Sequence, residues 1–363
     1  MLNTPRNGHT LSRRSFLARS AFAVGAAAVG TTLPVACGSD SATTSGGDAG
    51  GGGTRKMTFL SPIPLDTLSL APELLADAGG YFEKHGLQVE LQATKGTAQA
   101  MQTLLSGVAP VARVGQIDMM TAITTANQQQ LVNIATPFRT TALRFIYSKK
   151  NHPLEKPEDM LGQTMGVPSE GGTSDKVVSL VLAGAGLDPN RVKRQVVGLA
   201  PGTFNLVQQG RIVGYVVSID TANILTAQNP DAGSFDPTKY VRSDSQIYAT
   251  TKDGLAKEGD NLRAFLAAIH EAMAFMVADD NFDETIRILR GKYKFATLEN
   301  DAIARASLNM LKHSWTGGDP KKPLLVTDEA AWAAGYKELT DAGLLPPGGD
   351  PKSWFDNSLL PKS

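Results

Sequence analysis

The sequence predicts an α/β protein with two similar lobes and a helical C-terminal part. From Met57, short β-rich segments alternate with helical segments of roughly ten residues, which is typical of βαβ units with mostly parallel sheets. The pattern also repeats, because residues 86–118 and 186–220 share the order Gly-Leu, strand, Gly-Thr, helix, Gly and a strand that ends in Ile-Asp. A chance likeness between two βαβ units is the alternative to a true repeat.

The first set of elements runs from Met57 to Ser148. Residues 87–93 alternate apolar and polar side chains as a half-buried strand does, and Gly79-Gly80 ends the first predicted helix. The other elements are assigned from β-branched runs, turn residues and apolar periodicity. The predicted strands are 57–60, 87–93, 111–114, 131–136 and 144–148, and the helices end near residues 78, 107 and 129.

The second set begins near Lys149 and is followed by helices alone. Its predicted strands are 164–167, 192–197, 213–218 and 248–250, with helices at 175–185 and 204–209 between them. Beyond residue 250, apolar residues recur with the 3.6-residue period of an α-helix. The C-terminal helices predicted in this way are 258–279, 283–290, 298–312 and 328–342.

Composition excludes several classes of protein. The 363 residues include 35 basic and 35 acidic side chains, so net charge gives no reason to expect nucleic acid as a partner. The length corresponds to about two domains. A single Cys excludes an internal disulfide framework and a Cys-rich metal site.

The N-terminus carries the features of an export signal. Residues 12–18 read S-R-R-S-F-L-A and precede a Gly/Ala-rich apolar run, which resembles a twin-arginine signal. Cys37 follows the small Ala36 and resembles the processing site of a bacterial lipoprotein, which implies a lipid on its thiol. We expect residues 1–36 to be a signal peptide and the mature protein to be anchored outside the cytoplasm. A plain exported protein with a free thiol is the alternative.

Residues 37–54 are predicted to form a flexible tether. Thirteen of the 17 residues from 38 to 54 are Gly, Ser or Thr, so the segment has almost no apolar surface to bury. Its root-mean-square reach is about 20–25 Å. A tether of this length would hold the folded part just off a membrane surface.

Two facing α/β lobes form a cleft that is lined by loops at the carboxyl ends of their strands. The clearest of these loops is E-G-G-T-S, Glu170 to Ser174, in front of a helix. Thr173 or Ser174 is expected to cap that helix, while Gly171 and Gly172 let a ligand approach backbone N–H groups at its positive end. An ordinary glycine turn with a cap is the alternative.

Charged residues are also predicted at the cleft. Asp118 and Asp220 occupy matching strand ends and could face a ligand from opposite sides, and Asp66 could be a third carboxylate there. The alternative is that each aspartate caps the helix that follows it. Lys95, Arg139 and Arg144 are the nearby cations and Phe138 the nearest aromatic residue, although a solvated position suits them equally well. Carboxylates suit amines or aminopyrimidines, whereas cations and helix termini suit sulfonates or carboxylates, so residue types alone leave the ligand open.

Enzyme signatures are missing from the sequence. There is no G-x-S-x-G, no G-x-x-x-x-G-K-[ST] and no H-E-x-x-H, and the histidines are scattered. The segment D-D-N-F-D-E (279–284) lacks the Gly that a calcium loop requires. We therefore expect no catalytic residues, no metal and no cofactor.

Several motifs together resemble the solute-binding proteins of ABC importers, and more narrowly the family that binds nitrate, taurine, aliphatic sulfonates and thiamine-precursor pyrimidines. The order of the motifs over residues 57–225 is specific, although each motif alone is weak. The motifs are G-Y-F-E-K-H-G-L-Q-V-E (80–90), L-L-S-G (104–107), V-G-Q-I-D (114–118), P-E-D-M-L-G-Q-T-M-G-V (157–167), E-G-G-T-S (170–174) and A-G-L-D-P (185–189).

The resemblance implies the two-lobe fold known as the periplasmic binding protein fold of type II, in which two crossovers join the lobes. Lobe one would then comprise residues 55–143 and 246–363, and lobe two residues 144–245. The family's ligand loops match at Gly96 with Thr97, at Gly115 to Asp118 including Gln116, and at Gly171 to Ser174.

The function expected from this resemblance is capture of a small nitrogen- or sulfur-containing solute by a monomer that delivers it to an ABC permease and its ATPase. Two alternatives stay open. One is an enzyme of the same fold that acts on a pyrimidine or related precursor, and the other is a ligand-sensing subunit of a signalling system.

Overall fold

A computed structural model of the chain describes residues 54–198 and 201–362. The predicted signal peptide, Cys37 and all of the predicted tether except Thr54 lie outside these residues. The described chain is built around two five-stranded sheets.

The first sheet has the strand order β2-β1-β3-β10-β4. β1 pairs in parallel with both β2 and β3, whereas β10 is antiparallel to β3 and to β4. Four strands therefore share one direction and β10 alone opposes them. The strands of this sheet are β1 Arg55–Ser61, β2 Leu87–Ala93, β3 Val111–Gly115, β4 Leu131–Phe138 and β10 Gln246–Thr251.

The second sheet repeats this layout in the order β7-β6-β8-β5-β9. β6 pairs in parallel with β7 and β8, and β5 is antiparallel to β8 and β9, as β10 is to its neighbours in the first sheet. The strands are β5 Leu143–Ser148, β6 Thr164–Val167, β7 Lys193–Val196, β8 Gly214–Ser218 and β9 Ala232–Phe235. The prediction of two lobes with the same architecture is confirmed.

The chain passes between the sheets twice. It leaves the first sheet after β4 and enters the second at β5, and it returns from β9 to β10. We call residues 139–142 the first crossover and residues 236–245 the second crossover. These two segments connect the lobes that carry the two sheets.

Within the described residues, seven α-helices precede the return to the first sheet. They are α1 Ala71–Ala78, α2 Tyr81–Lys84, α3 Thr97–Leu105, α4 Gln116–Thr125, α5 Thr173–Gly184, α6 Phe204–Gln208 and α7 Ile219–Gln228. Both ends of one predicted helix differ in the structure. The helix predicted from Asp118 to Gln129 is α4, which starts earlier and ends at Thr125 because Asn127 adopts a left-handed backbone conformation, with φ of 54°.

The C-terminal part is helical, as predicted. Its helices are α8 Lys252–Ala278, α9 Asp283–Arg290, α10 Ala296–Glu299, α11 Asp301–Thr316 and α12 Glu329–Asp341. The single helix predicted over 298–312 is divided, because the side chain of Asn300 accepts a hydrogen bond from the Ile303 N–H and starts α11 anew. α2 and β9 were not predicted from the sequence.

The long helix α8 packs on the first sheet. By length and hydropathy alone it could cross a membrane, yet its apolar face belongs to the core of lobe one. Phe265 stacks on Phe59 of β1 and on Phe82 of α2, with ring centroids 5.6 Å apart in both pairs. Burial of aromatic side chains of this size makes α8 a major contributor to the stability of the lobe.

Candidate functional site

The carboxyl ends of the parallel strands of both sheets meet at one place. The helices α4 and α7 follow β3 and β8 directly, and α4 contacts α5 across the boundary between the lobes. Ligands of open α/β sheets bind at such edges. The side chains that face each other here come from both lobes.

Asp118 in the first turn of α4 contacts lobe two. Its Oδ2 accepts a hydrogen bond from Thr173 Oγ1 at 2.6 Å, and its Oδ1 lies 3.5 Å from Lys176 Nζ. The same ammonium donates to Thr121 Oγ1 at 3.0 Å. Gly115 is the N-cap of α4 and no side chain caps this helix, so the alternative that Asp118 is a cap does not hold.

Asp220 in the first turn of α7 makes the converse contact with lobe one. Its Oδ2 accepts a hydrogen bond from Thr67 Oγ1 at 2.6 Å, and its Oδ1 accepts from Ser218 at 2.5 Å and from Ser69 at 3.4 Å. The residue is only 3% exposed. No side-chain cap is formed at this helix either.

The two contacts are related by the repeat. Thr67 and Thr173 each lie six residues after the last residue of equivalent strands, Ser61 of β1 and Val167 of β6. Each aspartate belongs to the repeated Ile-Asp pair that follows β3 or β8. We call Asp118–Thr173 and Asp220–Thr67 the paired Asp–Thr contacts. They join the two lobes through hydrogen bonds.

Gly115 allows one of these contacts to form. A methyl group on its Cα would lie 2.9 Å from Thr173 Oγ1 and 3.6 Å from Asp118 Oδ2. Its φ of −75° suits any residue, so the requirement for Gly comes from the approach of lobe two and not from the backbone.

The E-G-G-T-S loop differs from the prediction in one respect. Gly172 is the N-cap of α5, and neither Thr173 nor Ser174 caps the helix. The hydroxyl of Thr173 is committed to Asp118 instead. Gly171 has a φ of 70°, and its N–H donates to Asp175 Oδ2 at 2.8 Å, so the loop is held by the helix that it precedes. Glu170 is exposed at its tip.

The crossovers supply side chains that sequence reasoning missed. Asp244 on the second crossover is 3% exposed, and its Oδ1 has no hydrogen-bond partner. Burial raises the pKa of Asp244 to about 7, the hydroxyl of Thr141 on the first crossover opposes this shift, and Asp118 and Glu338 add to it. The segment S-D-S-Q (243–246), which leads into β10, contains no pattern that distinguishes this residue from ordinary turn residues.

The residues around Asp244 belong to several elements. Ser245 donates to Gln116 Oε1 at 2.5 Å, on the side where Gln116 and Ser243 pack against α12. Asp244 lies close enough to Asp118 on α4 and to Glu338 on α12 for the charges of both to raise its pKa. Gln246 Nε2 lies 3.8 Å from the position that a Gly115 methyl group would occupy, beside Asp118 and Thr173.

Other predicted residues take no part in the paired Asp–Thr contacts. Asp66 is exposed, and its neighbour Thr67 makes the contact with Asp220. Gly96 precedes α3 with a φ of 98°, and Thr97 begins that helix. The Phe138 ring is fully buried, so it offers no surface to a ligand in this conformation. Arg139 Nη2 donates to the carbonyl of Pro323.

A buried charged group supports the turn that carries Thr67. Arg113 Nη1 donates to the Ser69 carbonyl at 2.6 Å and lies 3.4 Å from Glu73 Oε1, while its guanidinium stacks 4.3 Å from the Phe138 ring centroid. Tyr248 OH donates to the same Glu73 oxygen at 2.8 Å. Burial raises the pKa of Glu73, and the charge of Arg113 opposes that rise. Arg113 therefore holds the turn that carries Thr67, and with it the Asp220–Thr67 contact.

Two further features bear on function. Over the part of the chain that the structure describes, no group of three or more His, Cys, Asp or Glu side chains could hold a metal ion. A groove of about 830 Å³ lies at the end of the first sheet where β1 and β3 begin, and the start of α8 also lines it. Asp118 follows the opposite end of β3.

Residues 68–281 match the model of a protein family described as NMT1/THI5 like. The chain is 24% identical over 220 residues to a formylaminopyrimidine-binding protein of Halalkalibacterium halodurans, and this match covers 59% of the chain and 64% of that protein. It is 22% identical over 316 residues to the riboflavin-binding protein RibY of Chloroflexus aurantiacus, with 85% of the chain and 87% of that protein covered.

Solved structures show the same fold. The periplasmic aliphatic sulphonate binding protein SsuA of Escherichia coli superposes with a TM-score of 0.63 at 15% sequence identity, over 83% of this chain and 97% of that one. The two-lobe architecture of periplasmic binding proteins is therefore the fold of this chain.

Proposed function

The chain belongs to the NMT1/THI5-like family, and we propose that it is an extracytoplasmic solute-binding lipoprotein of an ABC importer. It captures a small nitrogen- or sulfur-containing organic solute between its lobes and delivers it to the permease and its ATPase. The observation that carries this proposal is the pair of Asp–Thr contacts, because they join the lobes at the strand ends where a solute would be enclosed.

The proposed binding surface combines predicted residues with ones that the structure adds. Closure of two lobes on a solute is a hinge motion about the crossovers, and it leaves the lining residues facing the enclosed space. The lining residues from the sequence are Gly115, Gln116, Asp118, Gly171, Gly172, Thr173, Ser174 and Asp220, and the added ones are Thr67, Thr141, Asp244 and Gln246. No residue in this set is assigned a catalytic role.

Removal of either cleft aspartate should weaken solute binding. Asp118→Ala or Asp220→Ala leaves a threonine hydroxyl of the other lobe without its acceptor in the closed state. A hydrogen bond to a charged group contributes about 1.5–3 kcal/mol, so we expect affinity to fall roughly 10- to 100-fold. Titration calorimetry of ligand-stripped protein with the solute found in a thermal-shift screen measures this.

The control is Asp253→Ala, whose side chain is exposed and pairs only with Lys257 on the same helix. Unchanged affinity in both cleft variants would contradict the site. A broad screen in which no solute stabilises the wild-type protein would contradict solute binding as a whole.

Anchoring is supported by the lipoprotein-like sequence at Cys37 and the paired Arg13-Arg14. In a bacterial host that processes lipoproteins, we expect wild-type protein in the membrane fraction with a lipid on Cys37, and Cys37→Ser in the soluble exported fraction. Mass spectrometry of the mature N-terminus measures the modification. An unmodified Cys37 in mature exported protein would contradict the anchor.

A further inference from the structure

Three carboxyl groups near the lobe boundary differ in the hydrogen bonds that they accept. Asp118 accepts from a hydroxyl and lies near Lys176, and Asp220 accepts from three hydroxyls. Asp244 is as buried as Asp220, yet its Oδ1 accepts no hydrogen bond. A buried carboxylate oxygen without a donor costs free energy, so this atom is a site at which an added N–H group would be favourable.

Two of the cations near the cleft are paired with carboxylates. Lys176 lies 3.5 Å from Asp118, and Arg144 lies 3.3 Å from Asp236. Arg139 Nη2 donates to a backbone carbonyl on the lobe-one side, while its buried Nε has no acceptor. An anionic solute beside Asp118 and Asp244 would therefore meet two carboxyl groups, and the ammonium of Lys176 is already paired with one of them.

Asp244 also lies where lobe opening would reach it. It belongs to the second crossover, where Thr141 of the first crossover and the charge of Asp118 are both near enough to affect its pKa. Separation of the lobes would break the Asp118–Thr173 contact and expose the crossover residues between the lobes to solvent.

We propose, on the basis of the solute-binding function above, that Asp244 is a specificity-determining residue that accepts N–H hydrogen bonds from a nitrogenous solute and disfavours sulfonates and other anions. The solute class is a protonated amine or amidine, or a heterocycle with an exocyclic amino group. A carboxylate is an acceptor only and pairs with such donors in short charge-assisted bonds.

The test compares two sets of small molecules on ligand-stripped full-length mature protein at pH 8. The N–H donors are cytosine, 4-aminopyrimidine, benzamidine and agmatine, and the anions are benzenesulfonate, methanesulfonate, benzoate and nitrate. We expect thermal stabilisation only within the donor set. For a molecule that binds, Asp244→Ala should lower affinity at least 10-fold, and the isosteric Asp244→Asn should lower it as well.

Asp253→Asn serves as the exposed control and should bind like the wild type. Circular dichroism and thermal unfolding of Asp244→Asn establish that the variant is folded. Stabilisation by an anion would overturn the inference and leave the proposed function intact. So would equal affinity of wild type and both Asp244 variants for the bound donor. If neither set stabilises the protein, the proposed function and this inference fail together.

Discussion

Individual carboxyl groups in this protein have their properties set by the donors that surround them. Asp220 has hydroxyl donors on both oxygens, whereas Asp244 has only Thr141 to offset its burial and faces the charges of Asp118 and Glu338. A buried carboxyl without sufficient donors holds its proton to a higher pH. The folded protein therefore binds a proton at Asp244 that the unfolded chain has already released.

This proton makes stability depend on pH in a defined direction. The pKa of Asp244 is about 7 in the folded state against 3.8 for an unperturbed aspartate, so its stabilising contribution is complete below about pH 4 and is lost as pH rises to 7. Within that window the loss is about 1.4 kcal/mol per pH unit. Urea unfolding at pH 5, 6 and 7 should give a steeper decline for wild type than for Asp244→Asn. Since Glu73 is present in both proteins, parallel curves would contradict the assignment.

Secondary-structure elements of the two lobes show how far a repeated sequence pattern constrains a fold. The Gly-Thr and Ile-Asp pairs in residues 86–118 and 186–220 predicted equivalent strands and helices, and the two sheets have the same order and the same single antiparallel strand. The weak points of the prediction were helix ends. Asn127 and Asn300 end and restart helices through local backbone and side-chain geometry that apolar periodicity does not report.

The same elements explain why threonines, and not aspartates alone, matter at the cleft. A threonine in the first turn of a helix is usually interpreted as a cap. Thr173 follows a glycine N-cap and directs its hydroxyl to the other lobe, a partner 55 residues away in sequence. Thr67 does both, since it caps a short 3₁₀ turn and donates to Asp220.

The whole molecule is closed by contacts that recur in both halves. Each paired Asp–Thr contact crosses the lobe boundary, and a further link runs from Asn223 Nδ2 on α7 to Ser307 Oγ on α11 at 2.9 Å. A hydrogen bond to a charged group contributes on the order of 1.5–3 kcal/mol. The equilibrium between the closed and open arrangements is therefore sensitive to single hydroxyl groups.

Loss of both threonine hydroxyls should open the ligand-free protein. The double variant Thr67→Val/Thr173→Val removes about 3–6 kcal/mol from the closed state, which is enough to shift the population by roughly 100-fold or more. Electron–electron distance measurements between spin labels on the two lobes should lengthen relative to wild type. Thr226→Val, which loses only a bond within α7, is the control. Equal distances in wild type and the double variant would contradict a closing role for these contacts.

The sequence by itself determined the alternation of strands and helices, the internal repeat and the matched positions of Asp118 and Asp220, because these follow from local periodicity and from two copies of one unit. It could not select Thr67, Thr141, Asp244 or Gln246, since no local pattern distinguishes them from ordinary turn and strand residues. Only the tertiary structure decided their roles. It brings residues from both lobes and both crossovers within hydrogen-bond distance, and it decides which of their polar atoms are buried with a partner and which without.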